Sequence, residues 1–188
     1  MTSTPRVRVL FDETAIARRN EELARQIAGV SDENLLVVAV LKGSFMFAAD
    51  LIRALHRTGV APQVEFIHLS SYRTGTTSSG QVAILRDVES DVRGRDLLLI
   101  DDVLESGRTL AFAKDLLMAR GAARVLTAVL LEKPGKRAVN VKADFVGFTC
   151  PDVFVVGYGM DVAHSYRQLP FVGVVSYTDT EPDLFGGT

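Results

Sequence analysis

One cysteine, six prolines and no tryptophan stand in a chain of 188 residues. With Cys150 alone, no disulfide framework can form within the chain, so a packed core must hold the fold. Six prolines and 15 glycines are too few for a collagen-like chain, and 47% hydrophobic residues are too many for a disordered one. No apolar stretch approaches the roughly 20 residues that span a bilayer. The longest, such as Leu35–Leu41 and Leu97–Ile100, are short and run into polar residues. The opening residues lack the apolar core of a secretory signal. An excess of one charge is also missing: 21 Lys and Arg against 23 Asp and Glu leave a net charge of −2, so no global basic field points to nucleic acid. These absences predict a cytoplasmic protein with no membrane or nucleic-acid partner, in which Cys150 packs as an inert thiol.

What is present suits one domain over residues 1–188, burying roughly 70% of its unfolded surface. Short β-branched runs alternate with longer amphipathic ones. Ile16, Ala17, Leu23, Ala24 and Ile27 recur at helical spacing within 13–28. A strand is predicted over 34–41, and a helix over 44–57 with Ser44 as its N-cap. Further strands fall at 63–69, 81–85, 97–100, 125–131, 144–148 and 153–156, with a helix over 109–119. The residues between 70 and 81 read as a long hairpin loop. Strand–helix alternation predicts an α/β fold, a doubly wound, mostly parallel sheet flanked by helices. Ligands of such sheets sit outside the carboxyl ends of the strands, so the residues that follow each apolar run carry the functional expectation.

The most informative stretch is Leu97–Leu110, LLLIDDVLESGRTL. A strand leads to Asp101 and Asp102, and a turn through Glu105, Ser106, Gly107, Arg108 and Thr109 opens a helix. Amides at a helix N-terminus, with two hydroxyls and an arginine, suit a phosphate. The adjacent carboxylates would repel that phosphate unless they have another task. Accepting hydrogen bonds from vicinal hydroxyls is one; helping to hold Mg²⁺ through water is another. A phosphorylated ribose satisfies both halves of the motif. No G-x-x-x-x-G-K-[ST] occurs, which disfavours a P-loop nucleotidase.

This segment resembles the phosphoribosyl pyrophosphate motif of the type I phosphoribosyltransferases. The resemblance extends over most of the chain and narrows to the hypoxanthine-guanine branch. It implies a small hood over the base and a flexible hairpin lid in which Ser71 and Tyr72 cover pyrophosphate. It implies that Lys42, Gly43 and Ser44 receive pyrophosphate, with a non-proline cis peptide at Leu41–Lys42, and that Arg167 is a further pyrophosphate contact. It implies that Lys133 meets the six-position oxygen of a purine, that Phe154 stacks on the ring and that the Val155 backbone bonds the polar edge. Asp161 matches a carboxylate near pyrophosphate and metal, and the resemblance also counts it among the purine-binding residues. Asp101, Asp102 and Asp161 are thereby implied as magnesium residues, mostly through water.

One position departs from the pattern. The base that takes or relays the purine N7 proton is normally Asp, and Glu105 stands there with one more methylene. His56, His68 and His164 are dispersed without metal-ligand spacing and receive no role. The resemblance implies a homo-dimer or homo-tetramer acting on phosphoribosyl pyrophosphate and a 6-oxopurine, with hypoxanthine ahead of guanine. Xanthine or a pyrimidine as substrate stays open, as does an RNA-binding regulator of pyrimidine genes, the other role known on this fold.

Overall fold

The computed structural model describes residues 6–31, 34–74 and 77–176, with the side chains of 71–81 outside the description. Twelve elements follow in the order β1 (Arg6–Phe11), α1 (Glu13–Ala28), β2 (Leu36–Leu41), α2 (Phe45–Arg57), β3 (Gln63–Thr74), β4 (Thr77–Arg86), β5 (Asp96–Leu104), α3 (Arg108–Ala119), β6 (Arg124–Glu132), β7 (Phe145–Thr149), β8 (Val155–Val156) and β9 (Val172–Ser176). Six strands form one sheet in the order β4-β3-β2-β5-β6-β7. Only β4 runs antiparallel, against β3.

Both faces of this sheet are covered, which is why β2 and β5 are apolar without alternation. Val37, Ala39, Leu98 and Ile100 point to one side and pack with α1 and α2. Val38, Val40, Leu97 and Leu99 point to the other and pack with α3. Asp12 caps α1 by accepting from the Ala15 N–H at 2.7 Å. At the β7 edge, Arg19 of α1 donates to the carbonyls of Val146 and Gly147, each at 2.8 Å. Strand edges left bare invite pairing with other chains, and this guanidinium blocks one such edge.

The strand order places the switch point between β2 and β5. From β2 the chain steps outward to β3 on one side, and from β5 to β6 and β7 on the other. The β2–β5 pairing runs from Leu36↔Leu97 to Ala39↔Ile100 and stops. Beyond it Leu41 stays with β3 and Asp101 with β6, so a crevice opens between the Lys42 turn and the two aspartates.

Several boundaries differ from the sequence reading. β5 continues through Leu104, so Asp101 and Asp102 lie inside a strand rather than at its end. Pairing with β6 extends it, a partner the local sequence does not reveal. The predicted loop after residue 69 is largely strand: β3 and β4 pair as far as Thr74↔Thr77. Ser44 occupies the N-cap position of α2, but its hydroxyl donates to the Val40 carbonyl at 2.5 Å and caps nothing. A second, three-stranded antiparallel sheet, β1-β9-β8, forms the small hood, and β1 and β9 have no counterpart in the sequence reading. Phe11 on β1 stacks on Phe148 of β7 with ring centroids 4.3 Å apart, fastening the hood to the main sheet. Cys150 is buried, its Sγ facing the Pro151 carbonyl at 3.3 Å, and burial pushes its thiol pKa up. No helix among the described residues is long and apolar enough to cross a membrane.

Leu98 and Leu99 point to opposite faces of β5, and both are fully buried. Truncating either to alanine is expected to cost about 2–5 kcal/mol, lowering Tm by roughly 2–4 °C for each kcal/mol. Thermal unfolding of the two variants checks this; a silent Leu99→Ala would mean that the α3 face is not a packed core.

Candidate active site

A cleft of about 980 Å³ lies at the switch point and takes residues from the Lys42 turn, the end of β5, the segment after β6, and the segments flanking β8. Lys42, Gly43, Asp102, Glu105, Lys133, Phe154, Val155, Asp161 and Arg167 all line it. On the side of the Lys42 turn its framework is an interlock of three segments. A Cβ on Gly43 would fall 1.7 Å from Oδ2 of Asp102, so only glycine lets the Asp102 carboxylate lie against this turn. A Cβ on Gly159, whose φ is +101°, would fall 2.3 Å from the Gly43 carbonyl oxygen. The Leu41–Lys42 peptide is cis, as the resemblance implied.

Around this interlock the charges are arranged in pairs and exceptions. Asp161 accepts from Arg167 at 2.8 Å and from the His164 N–H at 2.8 Å. Arg167 also donates to the Gly159 carbonyl at 2.6 Å. At the other side Lys136 sits 2.6 Å from Asp152 and 3.7 Å from Glu105. The Asp152 carboxylate, taking a hydrogen bond from it, pushes the Lys136 pKa up. Among the described residues, neither Lys42 nor Lys133 has an ion-pair partner. Lys42 is exposed, but Lys133 is only 7% exposed. With most of the side chain out of water and no carboxylate beside it, this ammonium gains from an acceptor brought by a ligand in the cleft it lines. Phe154 is the opposite case, an aromatic ring 58% exposed at the cleft.

Asp101 and Asp102 do not share one environment. Asp102 lines the cleft, with Oδ1 accepting from the Val103 N–H at 2.8 Å. Asp101 is 6% exposed, is not among the lining residues, and accepts from the Asp102 N–H at 3.0 Å. Burial first, and the Asp102 charge second, push Asp101 well above the usual carboxylate range. Of the pair, Asp102 is the member that faces the cleft.

Ser106, Gly107, Arg108 and Thr109 are not lining residues of the cleft; they form the turn into α3. Gly107 at the N-cap position offers no side chain, and the Ser106 hydroxyl accepts from the Arg108 N–H at 3.4 Å, so the start of α3 presents a hydroxyl beside first-turn amides, a combination suited to an anion. The Ser106 carbonyl accepts from Ala138 and Val139, and Arg137 donates to the Glu105 carbonyl at 2.8 Å, so the 137–139 segment braces the turn. Ser44 is fully buried behind the Lys42 turn. The side chains of Ser71 and Tyr72, expected in the lid, lie outside the described residues. Lys136, Asp152, His68 and His164 line the cleft although sequence reasoning assigned them nothing. The spacing of Lys136 three residues after Lys133 is the only local signal that could have marked it.

The chain matches the family model for the phosphoribosyl transferase domain over residues 7–163. The chain belongs to the phosphoribosyltransferase family. It is 42% identical over 176 residues to the hypoxanthine phosphoribosyltransferase of Escherichia coli (strain K12), covering 92% of this chain and 97% of that one. With the hypoxanthine-guanine phosphoribosyltransferase of Streptococcus pyogenes (serotype M3) it shares 39% over 169 residues, 89% of this chain and 92% of the relative. A crystal structure of a hypoxanthine phosphoribosyltransferase from Staphylococcus aureus superposes with a TM-score of 0.84 at 38% identity, covering 90% of this chain and 91% of that one.

Magnesium use is implied by this family, and the carboxylates present fit a particular mode of holding it. Asp102 and Asp161 are the carboxylates beside the interlock, and each already accepts a backbone N–H. Among the described residues no group of three or more His, Cys, Asp or Glu could hold a metal. That donor set suits an ion bound by one or two carboxylates with water and substrate oxygens completing the shell, which is how Mg²⁺ usually binds.

The interlock can be tested against a matched control. Gly135 has φ +95° with nothing within 4 Å of an added Cβ, so Gly135→Ala isolates the left-handed backbone cost, about 1–2 kcal/mol. Gly159→Ala adds the collision with the Gly43 carbonyl and is expected to cost a further ~1–3 kcal/mol. Chemical denaturation of both variants reads the difference; equal losses would mean that the contact between the two turns is loose.

Proposed function

We propose that this phosphoribosyltransferase transfers the 5-phosphoribosyl group of phosphoribosyl pyrophosphate to N9 of a 6-oxopurine, hypoxanthine first and guanine second. The products are the nucleoside monophosphate, IMP or GMP, and pyrophosphate, the chemistry of purine salvage. The observation that carries the reading is Lys133, a buried cation without a carboxylate partner, in one cleft with the exposed ring of Phe154. A purine keto oxygen supplies the acceptor that the ammonium requires, and the purine face covers the ring. The names of the relatives support the same substrate class.

The residues divide the labour as follows. Asp102 accepts hydrogen bonds from the ribose hydroxyls. Asp101 acts behind it, buried in the sheet and accepting from the Asp102 N–H. The start of α3, with Ser106, Gly107, Arg108 and Thr109, holds the 5′-phosphate. Lys42, Gly43 and Arg167 hold pyrophosphate, with Ser44 fixing the turn from behind and Ser71 and Tyr72 closing over it. Asp102 and Asp161 would hold Mg²⁺ with the substrate, and what the ion supplies is neutralisation of charge on the leaving group. In the reaction the bond from C1′ to the pyrophosphate oxygen breaks and the bond from N9 to C1′ forms. Developing positive charge on the ribose is met by the fixed carboxylate of Asp102. The purine proton passes to the Glu105 carboxylate. Glu105 lines the cleft, with the Lys136 ammonium 3.7 Å from its carboxylate, and its extra methylene is the reach that this role uses.

Pyrophosphate release with Mg²⁺ and a panel of nucleobases tests the assignment: hypoxanthine is expected to turn over fastest, and a pyrimidine in first place would overturn it. Lys133→Ala is expected to raise the purine KM about tenfold or more while leaving the KM for phosphoribosyl pyrophosphate nearly unchanged. Steady-state kinetics in both substrates separates the two, and equal losses would remove the base-reading role. Glu105→Gln is expected to lower kcat by about 10²–10⁴, with Glu105→Asp retaining most activity; a Gln variant at full rate would show that the base lies elsewhere.

A further inference from the structure

Behind the cleft lies a second, smaller hollow of about 380 Å³, between α1, α2 and the segment preceding β9. Tyr158 lines it and links it to the catalytic side. Gly157, Tyr158 and Gly159 are consecutive left-handed residues, with φ of 94°, 49° and 101°. Glycine adopts this backbone freely, but a tyrosine there is strained, and such strain persists only where the surroundings impose it.

The surroundings here are specific. The Tyr158 hydroxyl donates to Asp50 Oδ2 of α2 at 2.6 Å and accepts from Asn20 Nδ2 of α1 at 2.8 Å. Arg53, one turn along α2, holds the other oxygen of Asp50 at 2.6 Å. Burial, then the Asp50 hydrogen bond, push the phenol pKa further above its ordinary value, so the hydroxyl stays a donor. The backbone on either side belongs to the cleft. Gly159 abuts the Gly43 carbonyl and exchanges hydrogen bonds with Arg167, and Asp161 pairs with Arg167 two residues later.

We propose that Tyr158 is a positioning residue for the pyrophosphate end of the reaction. Its hydroxyl, clamped between α1 and α2, holds the left-handed turn that sets Asp161 and Arg167 against the Lys42–Gly43 turn. The inference rests on the phosphoribosyl transfer assigned to this cleft. The purine end depends on other anchors: Lys133 follows β6, and Val155 is paired with Val174 of β9. A loosened Tyr158 therefore acts on one substrate and not the other, whereas a merely structural residue would lower the active fraction and leave both KM values alone.

Steady-state kinetics of Tyr158→Phe in both substrates is the test. The KM for phosphoribosyl pyrophosphate is expected to rise about tenfold, with that for hypoxanthine within about twofold. Asp50→Ala is expected to reproduce this pattern, and Asp50→Asn, which keeps an oxygen to accept from the phenol, to restore the parental KM. This pair carries the comparison if Tyr158→Phe fails to fold. Equal rises in both KM values, or unchanged KM values with a lower Tm alone, would overturn the proposal. Calorimetry with magnesium pyrophosphate separates it from the reaction assignment. A parental protein without hypoxanthine-dependent turnover sinks that assignment, while pyrophosphate binding about tenfold weaker in Tyr158→Phe still supports the tether and equal binding sinks it.

Discussion

Three segments meet where β2 and β5 part, and at two of their contacts there is no room for a side chain. Asp102 Oδ2 fills the position of a Gly43 Cβ, and the Gly43 carbonyl fills that of a Gly159 Cβ. This chain of close approaches makes one junction from the end of β2, the end of β5 and the turn after β8. Protein interiors transmit displacement because they are close-packed, so the position of any one of these segments specifies the other two. The cleft inherits its shape from that junction.

Electrostatics follows the same economy. Lys136 and Arg167 are committed to carboxylates within the cleft, which keeps them ordered. Lys42 and Lys133 have no such partners among the described residues. The two adjacent aspartates are distinguished by burial: one faces the cleft, the other supports it from the sheet. Burial and the neighbouring carboxylate both disfavour the charged form of Asp101. The cleft thereby holds the Asp102 carboxylate together with cations that it does not pair.

Much of this was legible in the chain. The apolar runs of β2 and β5 read as buried strands because both faces are covered, and α1 showed its helical period over a full span. The residues following those runs, from Lys42 to Gly43 and from Asp102 to Glu105, do reach the cleft. Asp101 was indistinguishable from Asp102 by sequence, since neighbours in a strand point to opposite faces and the pleat decides which is buried. The hood strands β1 and β9 escaped because each is stabilised by a partner from the other end of the chain, which local periodicity does not report.

The sequence by itself determined the alternation of strand and helix, the glycine at the Lys42 turn, and the kinds of charged group available for chemistry. These depend on short-range spacing and on side-chain type, both carried by neighbouring residues. Only the tertiary structure decided that Lys133 is buried and Lys136 bridged, that Asp101 withdraws behind Asp102, and that Tyr158 ties the cleft to two helices. Each of those is set by a neighbour distant along the chain, because burial and hydrogen-bond partnership belong to the packed assembly and not to any segment of it.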